Sequence, residues 1–178
     1  MTRSPLSARR PTDAHLASLL AEQVDLPLSY GTEGMTRSDL PPSGYRRERV
    51  EVEIGSGTRV FEEAAGYLQT WQVHRQAGLR VAAVSPVQTG TCLVMALRLA
   101  LVHLTLTCRV VYTSESDNRR GFAYGTLRHH VESGEELFFV SRDADDRVRF
   151  TVMAYSRPGH LVTAVGAPVA RRMQHGPH

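Results

Sequence analysis

Residues 136–154 read ELFFVSRDADDRVRFTVMA. Val148, Phe150, Val152 and Ala154 alternate with Arg149, Thr151 and Met153, and a period of two belongs to a β-strand. Glu136–Arg142 is a second extended run. Asp143-Ala144-Asp145-Asp146 between them has the short polar side chains of a hairpin turn. Two strands joined by so short a turn are antiparallel, so this stretch sets the style of the sheet.

Working outward, the same reading repeats. Gly121–Leu127 is a strand with Phe122, Tyr124 and Thr126 on one side, and Glu132-Ser133-Gly134-Glu135 turns the chain after it. Ser114–Arg120 reads as a polar turn. Leu104–Thr113, Gly90–Arg98 and Leu79–Val84 are three more strands, the first two joined near Ala100–His103. Val50, Val52 and Ile54 alternate with Glu51 and Glu53, another half-buried strand. Gly55-Ser56-Gly57 breaks it, and Val60, Phe61, Ala64, Ala65, Leu68 and Trp71 then recur at helical spacing, which predicts a helix of about four turns. Leu161, Val165, Val169 and Met173 predict a last helix within His160–Gln174. The fold class is therefore α+β. An antiparallel sheet of about seven strands needs an apolar cover, and the two helices supply it. The expected form is a curved sheet wrapped around the C-terminal helix, with a cavity between them.

The first 44 residues form an N-terminal arm. Thr12 caps a short helix carrying Leu16, Leu19, Leu20 and Val24, and Pro27 stops it. Pro27, Gly31, Gly34, Pro41, Pro42 and Gly44 make the rest a loop. Residues 45–178 make the main domain.

Composition excludes several chemistries. The chain has 178 residues, 42% hydrophobic and 22% charged, an ordinary balance for one globular domain. All 21 basic Lys+Arg positions are Arg. A Schiff-base lysine, a phosphate-loop lysine and a lysine general base are thereby excluded. Cys92 and Cys108 sit in apolar runs and read as buried thiols. Net charge is +3, with acids and arginines interleaved, and this argues against nucleic acid. Arg98, His103 and Arg109 interrupt the one long apolar stretch, Thr91–Tyr112, which reads as core and not as a membrane span. No secretory signal pattern is visible, and the expected setting is cytoplasmic. Gly55-Ser56-Gly57 lacks the third glycine of a dinucleotide loop, and no cofactor or metal set is expected.

Gly121-Phe122-Ala123-Tyr124-Gly125-Thr126-Leu127, followed by His130, Glu132 and Gly134-Glu135-Glu136, carries a resemblance. So do Leu28-Ser29-Tyr30, Ile54-Gly55-Ser56-Gly57 with Phe61-Glu62, Trp71, Cys108-Arg109-Val110-Val111-Tyr112 and Tyr155-Ser156-Arg157-Pro158. Together they resemble an uncharacterised domain-of-unknown-function family of bacteria and plants, one also found at the C-terminus of the YndJ membrane proteins. The resemblance spans roughly residues 28–175 and implies the START-like helix-grip superfamily. It implies no established activity.

Several side chains are candidates for function. His130 and Glu132, two apart on an extended segment, point to one side and could form an acid–base pair. Arg109 lies among apolar residues and is either a buried cation awaiting an anion or an outer-face arginine paired with Glu51 or Glu53. Trp71, Tyr112, Tyr124, Phe150 and Tyr155 could line an apolar ligand cavity, with Arg109 fixing the ligand's orientation. The leading expectation is a binder of a small hydrophobic molecule, a lipid or polyketide-like metabolite. Two others stand beside it. One is a cyclase- or hydrolase-type enzyme using His130 and Glu132, and the other is an interaction module with no cavity.

Overall fold

The computed structural model describes residues 5–128, 130 and 132–157. The helix expected within His160–Gln174 lies outside the described residues. The elements run β1 (Leu6–Ser7), α1 (Asp13–Gln23), a single 3-10 turn (Met35–Arg37), β2 (Arg46–Ser56), α2 (Gly57–Gln69), α3 (Gln72–Gln76), β3 (Arg80–Ala83), β4 (Cys92–Leu99), β5 (Val102–Ser116), β6 (Arg119–Thr126), β7 (Gly134–Arg142) and β8 (Arg147–Ser156). All pairings are antiparallel, in the order β2-β8-β7-β6-β5-β4-β3, with β1 added beside the start of β5. The first long strand therefore crosses over to pair with the last. The α2–α3 segment spans that crossing, and its apolar side comes to lie on the sheet.

The inner face of the sheet carries α2 and α3. Phe61, Ala64, Ala65 and Leu68 recur at helical spacing and are buried against Leu93, Leu106, Phe122, Phe138, Val140 and Phe150. The expected helix of about four turns is α2, and the chain turns at Trp71 before α3. The Trp71 backbone takes the left-handed conformation at φ 61°, uncommon for a bulky residue. The turn drives the indole into the core, fully buried, where its Nε1–H donates to the Val84 carbonyl at 2.9 Å.

The outer face is covered as well, by the N-terminal arm packing on the domain. Leu16 and Leu19 of α1 pack on Val94 and Ala96. Further along, Tyr30 and Met35 of the arm pack with Tyr112, Ala123, Leu137, Met153 and Tyr155. The arm is pinned by Glu135. Its carboxylate accepts from the Tyr30 hydroxyl at 2.8 Å, the Gly34 amide at 2.8 Å, the Thr36 amide at 2.9 Å and the Thr36 hydroxyl.

A register shift between Val110 and Tyr112 corrects one expectation about sides. Strict alternation places Tyr112 with Val110 on the inner face. The bulge adds a residue, so Tyr112 pairs with Ala123 and joins the outer cluster.

Candidate functional site

At the end of the sheet where β6 stops at Thr126 and β7 starts at Gly134, the connecting segment leaves a half-open pocket. Met95 of β4 with Leu106 and Cys108 of β5 form its apolar wall, and Tyr124, Thr126 and Glu136 come from β6 and β7. His130 and Glu132 close it from the connection. The atom-free space is about 340 Å³ with its open mouth included, and the part clear enough for a water-sized body is about 20 Å³. A water needs roughly 10–15 Å³ by that measure, so the resting pocket seats one or two.

Glu136 is the central polar group. It is 5% exposed, and its Oε2 accepts from the Tyr124 hydroxyl at 2.9 Å. Its Oε1 is buried without a hydrogen-bond partner. Burial pushes its pKa from 4.5 up to about 8, with the carboxyls of Glu132 and Glu48 adding to the rise and the Tyr124 hydrogen bond opposing it. A carboxyl so placed is largely protonated at neutral pH. The same burial raises the Tyr124 hydroxyl and the Cys108 thiol, so neither ionises under ordinary conditions. None of the described lining residues is an arginine.

His130 is held by its Nδ1, which accepts from the Glu132 amide at 3.0 Å. That contact runs to the Glu132 backbone, whereas the acid–base expectation paired the ring with the carboxylate. Burial lowers the His130 pKa to about 4, against a small rise from its backbone contact with Glu132.

A sequence profile described as a domain of unknown function, DUF1990, matches residues 29–177. The chain belongs to the DUF1990 family. It is 31% identical over 160 residues to a UPF0548 protein of Deinococcus radiodurans, covering 84% of this chain and 81% of the relative. A UPF0548 protein of Arabidopsis thaliana is 28% identical over 143 residues, covering 77% of this chain and 70% of the relative. Among solved structures, major latex-like protein 151 of Panax ginseng is similar at a TM-score of 0.53 and 12% identity, covering 76% of this chain and all of the other. The likeness shows the fold: an α+β, START-like helix-grip architecture.

In this DUF1990 chain the sequence-expected residues divide among three places. His130, Glu132 and Tyr124 meet in the pocket. Trp71 and Phe150 lie in the filled inner core, both fully buried beside α2 and α3, and do not line the opening. Tyr112, Tyr155 and Arg109 serve the arm on the outer face. The Tyr112 hydroxyl bonds the Thr36 hydroxyl at 2.8 Å, and the Tyr155 hydroxyl donates to the Ser38 carbonyl at 2.6 Å. Arg109 donates to the carbonyls of Val24 and Leu26 at 2.7 Å each, and its Nε lies 3.4 Å from the Cys92 sulfur. It closes the end of α1. Its described partners are two backbone carbonyls and the Cys92 thiol, neither an anionic ligand nor Glu51 or Glu53.

Two groups escaped the sequence reading. Glu136 begins an inward row that continues with Phe138 and Val140, and a carboxylate on an otherwise apolar face was the available signal. His74 of α3 is fully buried among Trp71, Phe122, Tyr124 and Phe138, with both ring nitrogens lacking partners. Burial lowers its pKa to about 3, with Arg75 adding to the fall. No periodicity marks it, since only the break at Trp71 turns it inward.

Proposed function

We propose that this DUF1990 protein binds a small, largely apolar molecule in the pocket at the β6–β7 end of the sheet. One observation carries the reading. An apolar wall of Met95, Leu106 and Cys108 ends on a buried carboxyl whose Oε1 has no partner. Binding pockets combine these two features, apolar lining for affinity and a few placed polar groups for orientation. Packed interiors rarely leave a buried acceptor unpaired without a reason. The size of the pocket favours a metabolite over a two-chain lipid. A ligand larger than a water must displace the Met95 side chain. The helix-grip fold supports the reading without identifying the ligand.

Native mass spectrometry of freshly purified protein, followed by organic extraction, tests it. A retained small molecule is expected, together with Nile red binding that Leu106→Phe abolishes by filling the wall. Such overpacking costs about 1–3 kcal/mol, so circular dichroism must show the variant folded. Absence of both an adduct and dye binding in the wild-type protein overturns the proposal.

A further inference from the structure

The hairpin that joins β4 to β5 turns on two residues, Ala100 and Leu101, between the register partners Leu99 and Val102. Turns this tight are served by Asn-Gly, or by glycine at the first position when only that position has a positive φ. Here Ala100 takes φ 50°, a left-handed conformation that alanine adopts at a cost. The second position is Leu101, 86% exposed, and Val102 beside it is exposed too. A Gly-Ser turn would join the same strands with less strain and no apolar surface. The hairpin's own geometry therefore gives no reason for an aliphatic tip.

Basic charge surrounds that tip. Residues 97–105, LRLALVHLT, and residues 5–11, PLSARRP, contain no acid. β1 runs antiparallel to β5 with Ser7 level with His103, so the chain after it heads toward the turn. It then crosses to β3, where the Pro11 carbonyl accepts from Arg80 at 2.6 Å. Arg9 and Arg10 lie on this crossing and are exposed. Arg98 is exposed on β4 opposite His103, and its Nε donates to the Ala100 carbonyl at 3.2 Å. Among the described residues, none of these three arginines pairs with a carboxylate. Asp13, the first acid after Arg10, is engaged by Arg80.

We infer that this end of the sheet docks on an anionic lipid surface. Leu101 and Val102 enter the interface, and Arg9, Arg10 and Arg98 meet the headgroup phosphates. An apolar insertion and a basic cluster are each weak anchors, and together they give reversible attachment. Guanidinium groups suit phosphate oxygens. A protein partner fits less well. Stable protein interfaces cover about 1,200–2,000 Å², whereas a two-residue turn is a small convex tip that a rigid partner would have to match with a socket. A bilayer interface yields to it. Nucleic acid offers phosphates but no apolar medium for Leu101. The docking is independent of what the pocket binds.

Flotation of the full chain with phosphatidylcholine vesicles, with and without a one-third share of phosphatidylglycerol, tests this. Binding to the anionic vesicles should be at least about tenfold tighter, and should weaken about tenfold between about 0.05 M and about 0.5 M salt. Ala100→Gly with Leu101→Ser supplies the favoured turn. That variant should keep its melting temperature within about 3 °C and lose about tenfold in vesicle affinity. Arg9→Gln with Arg10→Gln should reduce the preference for anionic vesicles several-fold. Leu101→Trp should shift its emission to the blue on anionic vesicles, while the wild-type protein, with only Trp71, should not. No binding, equal binding to both vesicles, or binding that the Gly-Ser turn leaves intact overturns the inference. A wild-type dimer that the same variant converts to a monomer in light scattering overturns it too, and assigns the tip to a second copy of the chain.

Discussion

Tyr124 and Glu136 are register partners across β6 and β7, and the Tyr124 hydroxyl donates to Glu136 Oε2 at 2.9 Å. The bond satisfies one carboxyl oxygen and leaves the other facing the pocket. Tyr124→Phe removes the only hydrogen-bond donor to this buried acid among the described residues. The cost should be about 1–2 kcal/mol in urea denaturation, in the range for losing a buried hydrogen bond. The Glu136 pKa should also rise further, because this bond is what opposes the effect of burial. Titration of the Glu136 side-chain carbon signal by NMR in both proteins checks the second point. An unchanged midpoint would mean that Tyr124 does not tune the carboxyl.

The buried acid and the buried histidines pull stability in opposite directions with pH. Folded Glu136 holds its proton up to about 8, against an ordinary value of 4.5, so stability falls as pH rises between those values. His74 and His130 are lowered to about 3 and about 4 from 6.5, so the unfolded chain takes up protons first and stability falls as pH drops below 6.5. Each group contributes a slope of at most about 1.4 kcal/mol per pH unit. The expected curve has its maximum near pH 6.5. Glu136→Gln should flatten the alkaline limb, and His74→Phe should reduce the acid limb. A wild-type protein whose melting temperature is level from about pH 6.5 to about pH 8 would contradict the placement of Glu136.

Much of the fold was legible because its strands alternate cleanly. Val50–Ile54 and Val148–Ala154 announced two strands, the Asp143–Asp146 turn announced their hairpin neighbour, and Thr12 announced the start of α1. What stayed hidden has a common cause. Both faces of the sheet are buried, so alternation separates the two sides without saying which side holds a pocket. Tyr112 and Tyr155 read as cavity-lining aromatics and instead face the arm. The bulge before Tyr112 leaves no mark in residue types, and β1 is only two residues long. Glu136 was visible as a letter, but its depth depends on the α2–α3 layer and the connecting segment, both of which are tertiary.

Glu135 and Glu136 are adjacent in sequence and face opposite sides, and their variants should fail differently. Glu135→Ala removes the acceptor of the Tyr30 hydroxyl, both arm amides and the Thr36 hydroxyl. Bonds to a charged group are worth about 1.5–3 kcal/mol each before compensation by water, so a net loss of about 3 kcal/mol is expected. Hydrogen exchange should rise selectively at Gly34 and Thr36, with β7 still protected. Glu136→Gln should leave those amides unchanged. Exchange rising equally across β7 in Glu135→Ala would show that the residue supports the sheet and not the arm.

The glycines of the Gly121–Leu127 segment answer to two different neighbours. A Cβ at Gly121 would stand 2.1 Å from the Phe138 carbonyl oxygen and 2.5 Å from the Phe139 Cβ, while one at Gly125 would stand 2.0 Å from the Tyr30 hydroxyl oxygen. Backbone within a sheet cannot step aside, but a tyrosine of the arm can. Gly121→Ala should therefore cost more, about 3 kcal/mol or above, and should disturb β6–β7 pairing. Gly125→Ala should cost about 2 kcal/mol by expelling Tyr30 from Glu135. The two mechanisms separate in a double-mutant cycle. With Tyr30→Ala already present, Gly125→Ala should add less than about 0.5 kcal/mol, because the obstructing atoms are gone. A full cost in that background would place the strain in β6 itself and remove Tyr30 from the explanation.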